Sequence, residues 1–217
     1  IWAYSLNVVA SILGMWVFYG LSFLTISPFA GIIIAQFIFI ILSKDKKHKS
    51  FIAVVLIITA AVGLGHDTAE GYRFVKTVWS PYQKLSLFEY SKNDLNNSEY
   101  ILKVNGAVFM GLFDFSDERR VWIEKKVKEL KMPSSYDVRF ADQYRLPYLI
   151  KPGIQDVLIV GAGGGNDVAA AVRGEILAID AVEIDPQIIN LGKEYHPEQP
   201  YSSPKVHIVI DDGRSFF

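Results

Sequence analysis

Residues 157–167 read Val157-Leu158-Ile159-Val160-Gly161-Ala162-Gly163-Gly164-Gly165-Asn166-Asp167. An apolar run ends in a glycine-rich turn and then opens a helix. A second apolar run ends in Glu183, Asp185 and Pro186, and a third, Val206 to Ile210, ends in Asp211-Asp212-Gly213. A buried strand, a glycine turn and an acidic residue at the tip of the next strand make the nucleotide-binding half of a doubly wound sheet. The pattern runs to the last residue, Phe217. The other half of such a fold, with its fourth strand, is expected beyond it.

The spacing predicts strands over Asp156–Val160, Ile179–Ile184 and Val206–Ile210, with helices from Asn166 and over Pro186–Tyr195. Apolar residues on both faces of the first strand predict helices covering both sides of a parallel sheet. Gly161, Gly163 and Gly165 let the backbone turn sharply and let a ligand come close. The helix after them points free N–H groups at that ligand. Glu183, at the carboxyl end of its strand, can accept two hydrogen bonds from ribose hydroxyls; Asp211 and Asp212 lie on the same side of the sheet.

A dinucleotide fingerprint wants Gly-x-Gly-x-x-Gly. Here the sixth position is Asn166, and Asp167 adds negative charge where a pyrophosphate would lie. Anion repulsion disfavours NAD. A cationic sulfonium fits better, which points to S-adenosylmethionine or its decarboxylated form. The plainer alternative is a glycine turn that binds nothing.

The hydrophobic content of 51% is unevenly spread over the 217 residues, since no Asp, Glu, Lys or Arg occurs before Lys44. Such a stretch is about 64 Å long as helix at ~1.5 Å per residue, enough for two crossings of a ~30 Å core. Transmembrane helices are expected at about 7–26, 28–42 and 50–65, divided at Ser27-Pro28 and at the basic loop Lys44-Asp45-Lys46-Lys47-His48-Lys49. The third is short and can tilt or insert only in part. A signal peptide is disfavoured, because no charged region precedes the first span and a second follows at once. The basic loop should be cytoplasmic; a nucleoside ligand places the soluble part in the cytoplasm too, which a marginal third span allows. The expectation is a multi-pass membrane protein in contact with the lipid bilayer.

A net charge of −1 argues against a nucleic-acid partner. With no cysteine, the chain has no disulfide, thiolate metal site or cysteine nucleophile. No metal is expected. The chain begins with Ile1 and stops just past a strand, so both ends read as cuts in a longer protein.

Residues 66–115 read as a small antiparallel sheet: Lys84–Tyr90, the turn-rich Asn93–Ser98, Tyr100–Val104, the tight turn Asn105-Gly106, then Ala107–Phe113. Ser116 can cap a helix starting Asp117-Glu118, with Val121, Ile123, Val127 and Leu130 on its apolar face and Pro133 after its end. Its lysines 125, 126 and 128 read as a solvated face. Tyr144–Ile150 leads into the first core strand. The fold class is thus α/β: transmembrane helices (1–65), an antiparallel β subdomain (66–115), and an incomplete Rossmann-like, class I methyltransferase-type domain (116–217).

Five stretches resemble the aminopropyltransferase (spermidine synthase) family, and most closely its membrane-fused branch. They are Ser80-Pro81-Tyr82-Gln83-Lys84-Leu85, Tyr144-Arg145-Leu146-Pro147-Tyr148, Gly161 to Asp167, Val182-Glu183-Ile184-Asp185-Pro186 and Asp211-Asp212-Gly213-Arg214. The resemblance covers roughly 79–217. It implies that Gln83 contacts the nucleoside end of the cofactor. The glycine turn with Asn166 and Asp167 would hold the aminopropyl-sulfonium side. Glu183, with Asp185 beside it, would serve the ribose hydroxyls, and Asp212 and Gly213 the adenine. It also implies an aspartate after the fourth strand that positions and deprotonates an amine; that residue would lie beyond Phe217, so no catalytic residue is assigned in this chain and the chain alone is expected to be inactive. Two departures stand out. The family's Asp-Gly-x-x-Gln reads Asn105-Gly106-Ala107-Val108-Phe109, and its Tyr-His-Glu segment is replaced by Arg119-Arg120-Val121-Trp122.

Three functions follow as expectations. The first is a membrane-anchored transferase that moves an aminopropyl group from decarboxylated S-adenosylmethionine to a small amine acceptor, in polyamine biosynthesis. The second is an S-adenosylmethionine-dependent methyltransferase. The third is a non-catalytic polyamine- or nucleoside-binding domain of a transporter or sensor. A homo-oligomer is compatible with all three.

Overall fold

The computed structural model describes residues 2–65, 69, 71–90, 98–131 and 143–216. The turn expected at 93–97 and Pro133 lie outside them. The chain divides into two compact units, Ile1–Asp67 with Thr77–Lys84, and Thr68–Lys76 with Leu85–Phe217.

The first unit holds three helices, α1 (Trp2–Phe23), α2 (Pro28–Leu42) and α3 (Lys46–Leu64). Ser27 caps α2, its Oγ accepting from Phe29 N at 3.3 Å, and Pro28 opens the helix where its missing N–H costs nothing. Asp45 caps α3 by accepting from Lys47 N at 2.8 Å. Gln36 Nε2 of α2 donates to Thr59 Oγ1 of α3 at 3.0 Å, and that hydroxyl donates on to Val55 O at 2.9 Å. Among the described residues one helix, α1, is long and apolar enough to cross a membrane. The three spans expected from the sequence therefore reduce to one candidate: α2 has only 15 residues, and α3 begins with four polar or charged residues, Lys46 to Lys49.

Next along the chain comes a sheet of strand order β1-β2-β3-β4: β1 (Tyr72–Trp79), β2 (Lys84–Tyr90), β3 (Ser98–Val104) and β4 (Ala107–Phe113). β1 has no counterpart among the strands expected from the sequence. Aromatic pairs align it with β2, Tyr72 with Tyr90 at 4.5 Å and Phe74 with Phe88 at 5.8 Å. β3 and β4 run antiparallel through Asn105-Gly106, both at positive φ (50° and 87°), as a two-residue hairpin turn requires. Leu102 pairs with Met110 and Lys103 with Val108, which leaves Phe109 as an extra residue, a β-bulge.

Ser116 caps α4 (Asp117–Glu129), accepting from Arg119 N at 3.2 Å. Of the apolar face expected there, Ile123 is buried, whereas Val121 and Leu130 are exposed.

The last part has α5 (Leu146–Ile150), β5 (Asp156–Val160), α6 (Asn166–Arg173), β6 (Ala178–Glu183), α7 (Pro186–Tyr195), β7 (Val206–Ile210) and the short α8 (Gly213–Phe216). β5, β6 and β7 form a parallel sheet in that order, with Val160 opposite Val182 and Glu183 opposite Ile210. One face of the sheet packs on α6 and α7. Ile179, Ala181, Val168, Ala171, Ile189 and Tyr201 form its buried centre, with Val157, Ile159, Val206 and Ile208 against them. Burying each large apolar side chain contributes about 1.5–3 kcal/mol. The sequence predicts cover on both faces, but Leu158, Val160 and Ile210 are exposed, because α6 and α7 both lie on the other side.

Candidate functional site

The carboxyl ends of three parallel strands bring the glycine turn, Glu183–Asp185 and Asp211–Gly213 to one edge of the sheet. The turn hangs from β6: Gly161 N and Ala162 N donate to Val182 O at 2.8 and 3.0 Å. Gly161, Gly163 and Gly165 have φ of 75°, 56° and 106°, a region closed to most side chains. Their surroundings differ. A methyl group at Gly161 meets nothing within 4 Å, so open space lies there. One at Gly165 meets Pro200 Cγ at 2.9 Å, and one at Gly164 meets Leu112 Cδ2 at 2.4 Å. The first glycine leaves room beside the turn; the later ones let protein pack against it.

Glu183 is 7% exposed, and its carboxylate braces the site. Oε2 accepts from Gly163 N and Oε1 from Asp185 N, both at 3.0 Å. Each oxygen retains acceptor capacity beyond that bond. Asp185 is buried too, and its Oδ1 caps α7 by accepting from Gln187 N at 2.9 Å. Asp212 plays the same part for α8, accepting from Arg214 N at 3.0 Å, and that bond holds its carboxyl below the usual range. Gly213 fits because a methyl there would lie 2.5 Å from Val160 Cγ1. Asp167 is solvent-exposed in the first turn of α6, and desolvation of part of its carboxyl raises its pKa.

Asn166 is 3% exposed, and its side chain is committed to the protein. Nδ2 donates to Gly111 O at 2.8 Å and to Tyr144 Oη at 3.2 Å, while Oδ1 accepts from Phe113 N at 3.1 Å. Oδ1 also lies 3.2 Å from His196 Nε2. His196 Nδ1 accepts from Glu198 N at 3.1 Å, so the proton sits on Nε2, which donates to Asn166. Asn166 thereby ties the start of α6 to β4 and to the loop after α7. Gln83 lies in the first unit, in a turn where Ser80 Oγ accepts from Tyr82 N and Gln83 N at 3.2 and 3.0 Å.

Three groups here went unread in the sequence. His196 has no exposed surface, and burial pushes its pKa down to about 3, with Arg173 adding to the effect. Tyr201 Oη donates to Gly163 O at 2.7 Å, and burial raises its phenol. Glu198 pairs with Arg173 and accepts from Phe115 N at 2.8 Å; burial raises its carboxyl. The stretch 196–201 carries no motif, but a His, an acid and an aromatic just beyond a helix beside a glycine turn were the available signal.

The His196 value fixes a pH dependence. The unfolded chain protonates this ring near 6.5 and the folded protein only near 3, so the unfolded state binds more protons between them. The stability tied to the neutral ring is complete above ~6.5 and falls by up to about 1.4 kcal/mol per pH unit as pH drops toward 3. Thermal melts from pH 7 to pH 4 should show a loss that His196→Gln flattens; parallel curves for the two proteins would exclude His196 as its source.

Among the described residues no group of three or more His, Asp or Glu is placed to hold a metal ion. What the strand tips assemble is a buried carboxylate braced on a glycine turn at the carboxyl edge of a parallel sheet. Residues 144–217 match the spermine/spermidine synthase domain. A polyamine aminopropyltransferase of Alkaliphilus oremlandii is 39% identical over 74 residues, 33% of this chain and 26% of that protein. One from Clostridium perfringens is 35% identical over 74 residues with the same coverage, so the match spans about a quarter of these relatives. The crystal structure of spermidine synthase from Thermotoga maritima aligns with a TM-score of 0.44 and 17% identity, covering 66% of this chain and 42% of its own.

Proposed function

We propose that this chain carries the nucleoside-binding part of a membrane-anchored, aminopropyltransferase-type enzyme, with decarboxylated S-adenosylmethionine as donor and an amine as acceptor. The observation that carries the reading is the buried Glu183 carboxylate at the end of β6, hydrogen-bonded to Gly163 of the glycine turn within the family-matched stretch. The residues fit such a donor. Glu183 keeps acceptor positions for two ribose hydroxyls, the space at Gly161 is open, and Asp167 places negative charge where a cationic sulfur gains from it. Asp185 acts through its backbone N–H, which orients Glu183. Gly165 and Asn166 shape the turn, and Asp212 and Gly213 are proposed for the nucleoside end.

When bound, the donor would supply a carbon made electrophilic by the positively charged sulfur beside it, open to attack by an amine nitrogen with the thioether as leaving group. The chain's own contribution is to bind and orient. Glu183 fixes the ribose, and the turn fixes Glu183. The apolar helix α1 is proposed as the membrane anchor, with the soluble part in the cytoplasm; retention in the membrane pellet after an alkaline carbonate wash supports it, and release removes it.

The test of function is incubation of the purified full-length protein, not residues 1–217 alone, with S-adenosylmethionine and its decarboxylated form, both isotopically labelled, and a panel of amines. Label carried into an amine as an aminopropyl group is the expected result. A labelled methyl group on the product would establish the methyltransferase alternative, and nucleoside binding without turnover a sensor or transporter domain.

A further inference from the structure

Resting on that reading of the site, we propose that Met110 of β4 is a specificity-determining residue, the uncharged wall that selects a donor whose tail lacks a carboxylate. The argument starts from the register. Leu102 pairs with Met110 and Tyr100 with Leu112, so these four side chains share one face of the small sheet. Phe109, the residue aligned with the family's glutamine, is the extra residue of the bulge, and it is 56% exposed. Beyond the bulge Met110 comes to the glycine turn instead. Its Sδ lies 3.5 Å from where a Cβ on Gly163 would stand and 3.4 Å from one on Gly164. Gly163 is also the residue whose N–H is held by Glu183. One residue of the turn thus has the proposed ribose carboxylate on its N–H and the Met110 thioether against its Cα.

The wall is fixed in place. Asn166 accepts from Phe113 N and donates to Gly111 O, gripping β4 on either side of Leu112, which itself packs on Gly164. A group continuing from the ribose past Gly163 meets a polarisable, uncharged side chain, with the exposed carboxyl of Asp167 in the next turn of chain. A carboxylate in that tail would be desolvated against sulfur and methyl and would face like charge. The same tail without its carboxylate loses nothing there, and its positive charge gains.

The experiment is calorimetric titration of the purified protein with S-adenosylmethionine and with its decarboxylated form, for wild type, Met110→Leu, Met110→Lys and Met110→Gln. The wild type should prefer the decarboxylated form. Met110→Leu, which conserves volume and charge, should keep the preference within about twofold. Met110→Lys supplies an ammonium to the carboxylate and should shift the ratio toward S-adenosylmethionine by about tenfold or more. Should Met110→Lys fail to fold, Met110→Gln, a neutral donor, should move the ratio the same way by a smaller factor. A folded lysine or glutamine variant with the wild-type ratio overturns the proposal, as does a wild type that binds both donors equally. A wild type that binds neither removes instead the reading of the site on which the proposal rests.

Discussion

Replacing Glu183 by alanine should weaken binding of a sulfonium nucleoside by more than about tenfold, or over ~1.4 kcal/mol. Two losses combine. The ribose hydroxyls proposed to bind there would lose their acceptor, and hydrogen bonds to a charged group contribute about 1.5–3 kcal/mol. The turn also loses its brace, because Gly163 N and Asp185 N both donate to this carboxylate. Glu183→Gln separates the two. Its amide keeps one acceptor for the backbone but turns an NH2 group toward the other N–H, so the fold should persist while affinity falls. Calorimetry on both variants, beside their melting curves, is the measurement. Wild-type affinity in a folded Glu183→Ala would take this residue out of the site.

The second large effect is on stability. Asn166→Ala leaves Phe113 N–H, Gly111 O, the Tyr144 hydroxyl and His196 Nε2–H without the partner they share. A buried polar group left unpaired costs about 1–3 kcal/mol; His196 Nε2–H is buried and the other three groups are part-buried, so a net loss of ~3 kcal/mol is expected. For a protein of this size that lowers Tm by about 6–12 °C. Asn166→Asp keeps the acceptor and loses the donor, and should fall between. A Tm within about 2 °C of wild type for Asn166→Ala would mean that β4 and α6 are held together by other contacts.

Much of the parallel-sheet part was legible in the sequence. The glycine turn, β5, β7, α7 and the Ser116 cap stand where the spacing puts them, because each is decided within a few residues by a strand pattern, a turn or a cap. What escaped is long-range. Asn166 looked like a ligand group because it follows the glycines; its partners, 22 to 55 residues away in sequence, make it a clamp. His196 and Tyr201 sit in no motif and matter only because α7 returns them to the turn. The bulge at Phe109 depends on how β3 and β4 register, so matching by position placed Phe109 at the site while Met110 reaches the turn. β1 was missed for another reason: Arg73 and Lys76 break its apolar alternation, although its aromatic and β-branched residues carried the strand signal.

Gly192 of α7 would place a methyl group 2.5 Å from Gly164 O and 2.8 Å from the Tyr201 ring. A helix residue far outside the glycine signature is therefore held to the same chemical identity as the signature itself. Anyone transplanting this glycine turn into a foreign scaffold must carry Gly192 along with it. The portable module is a turn plus a bare patch on the second helix, and a graft of residues 161–165 alone would leave the turn's carbonyl facing a side chain.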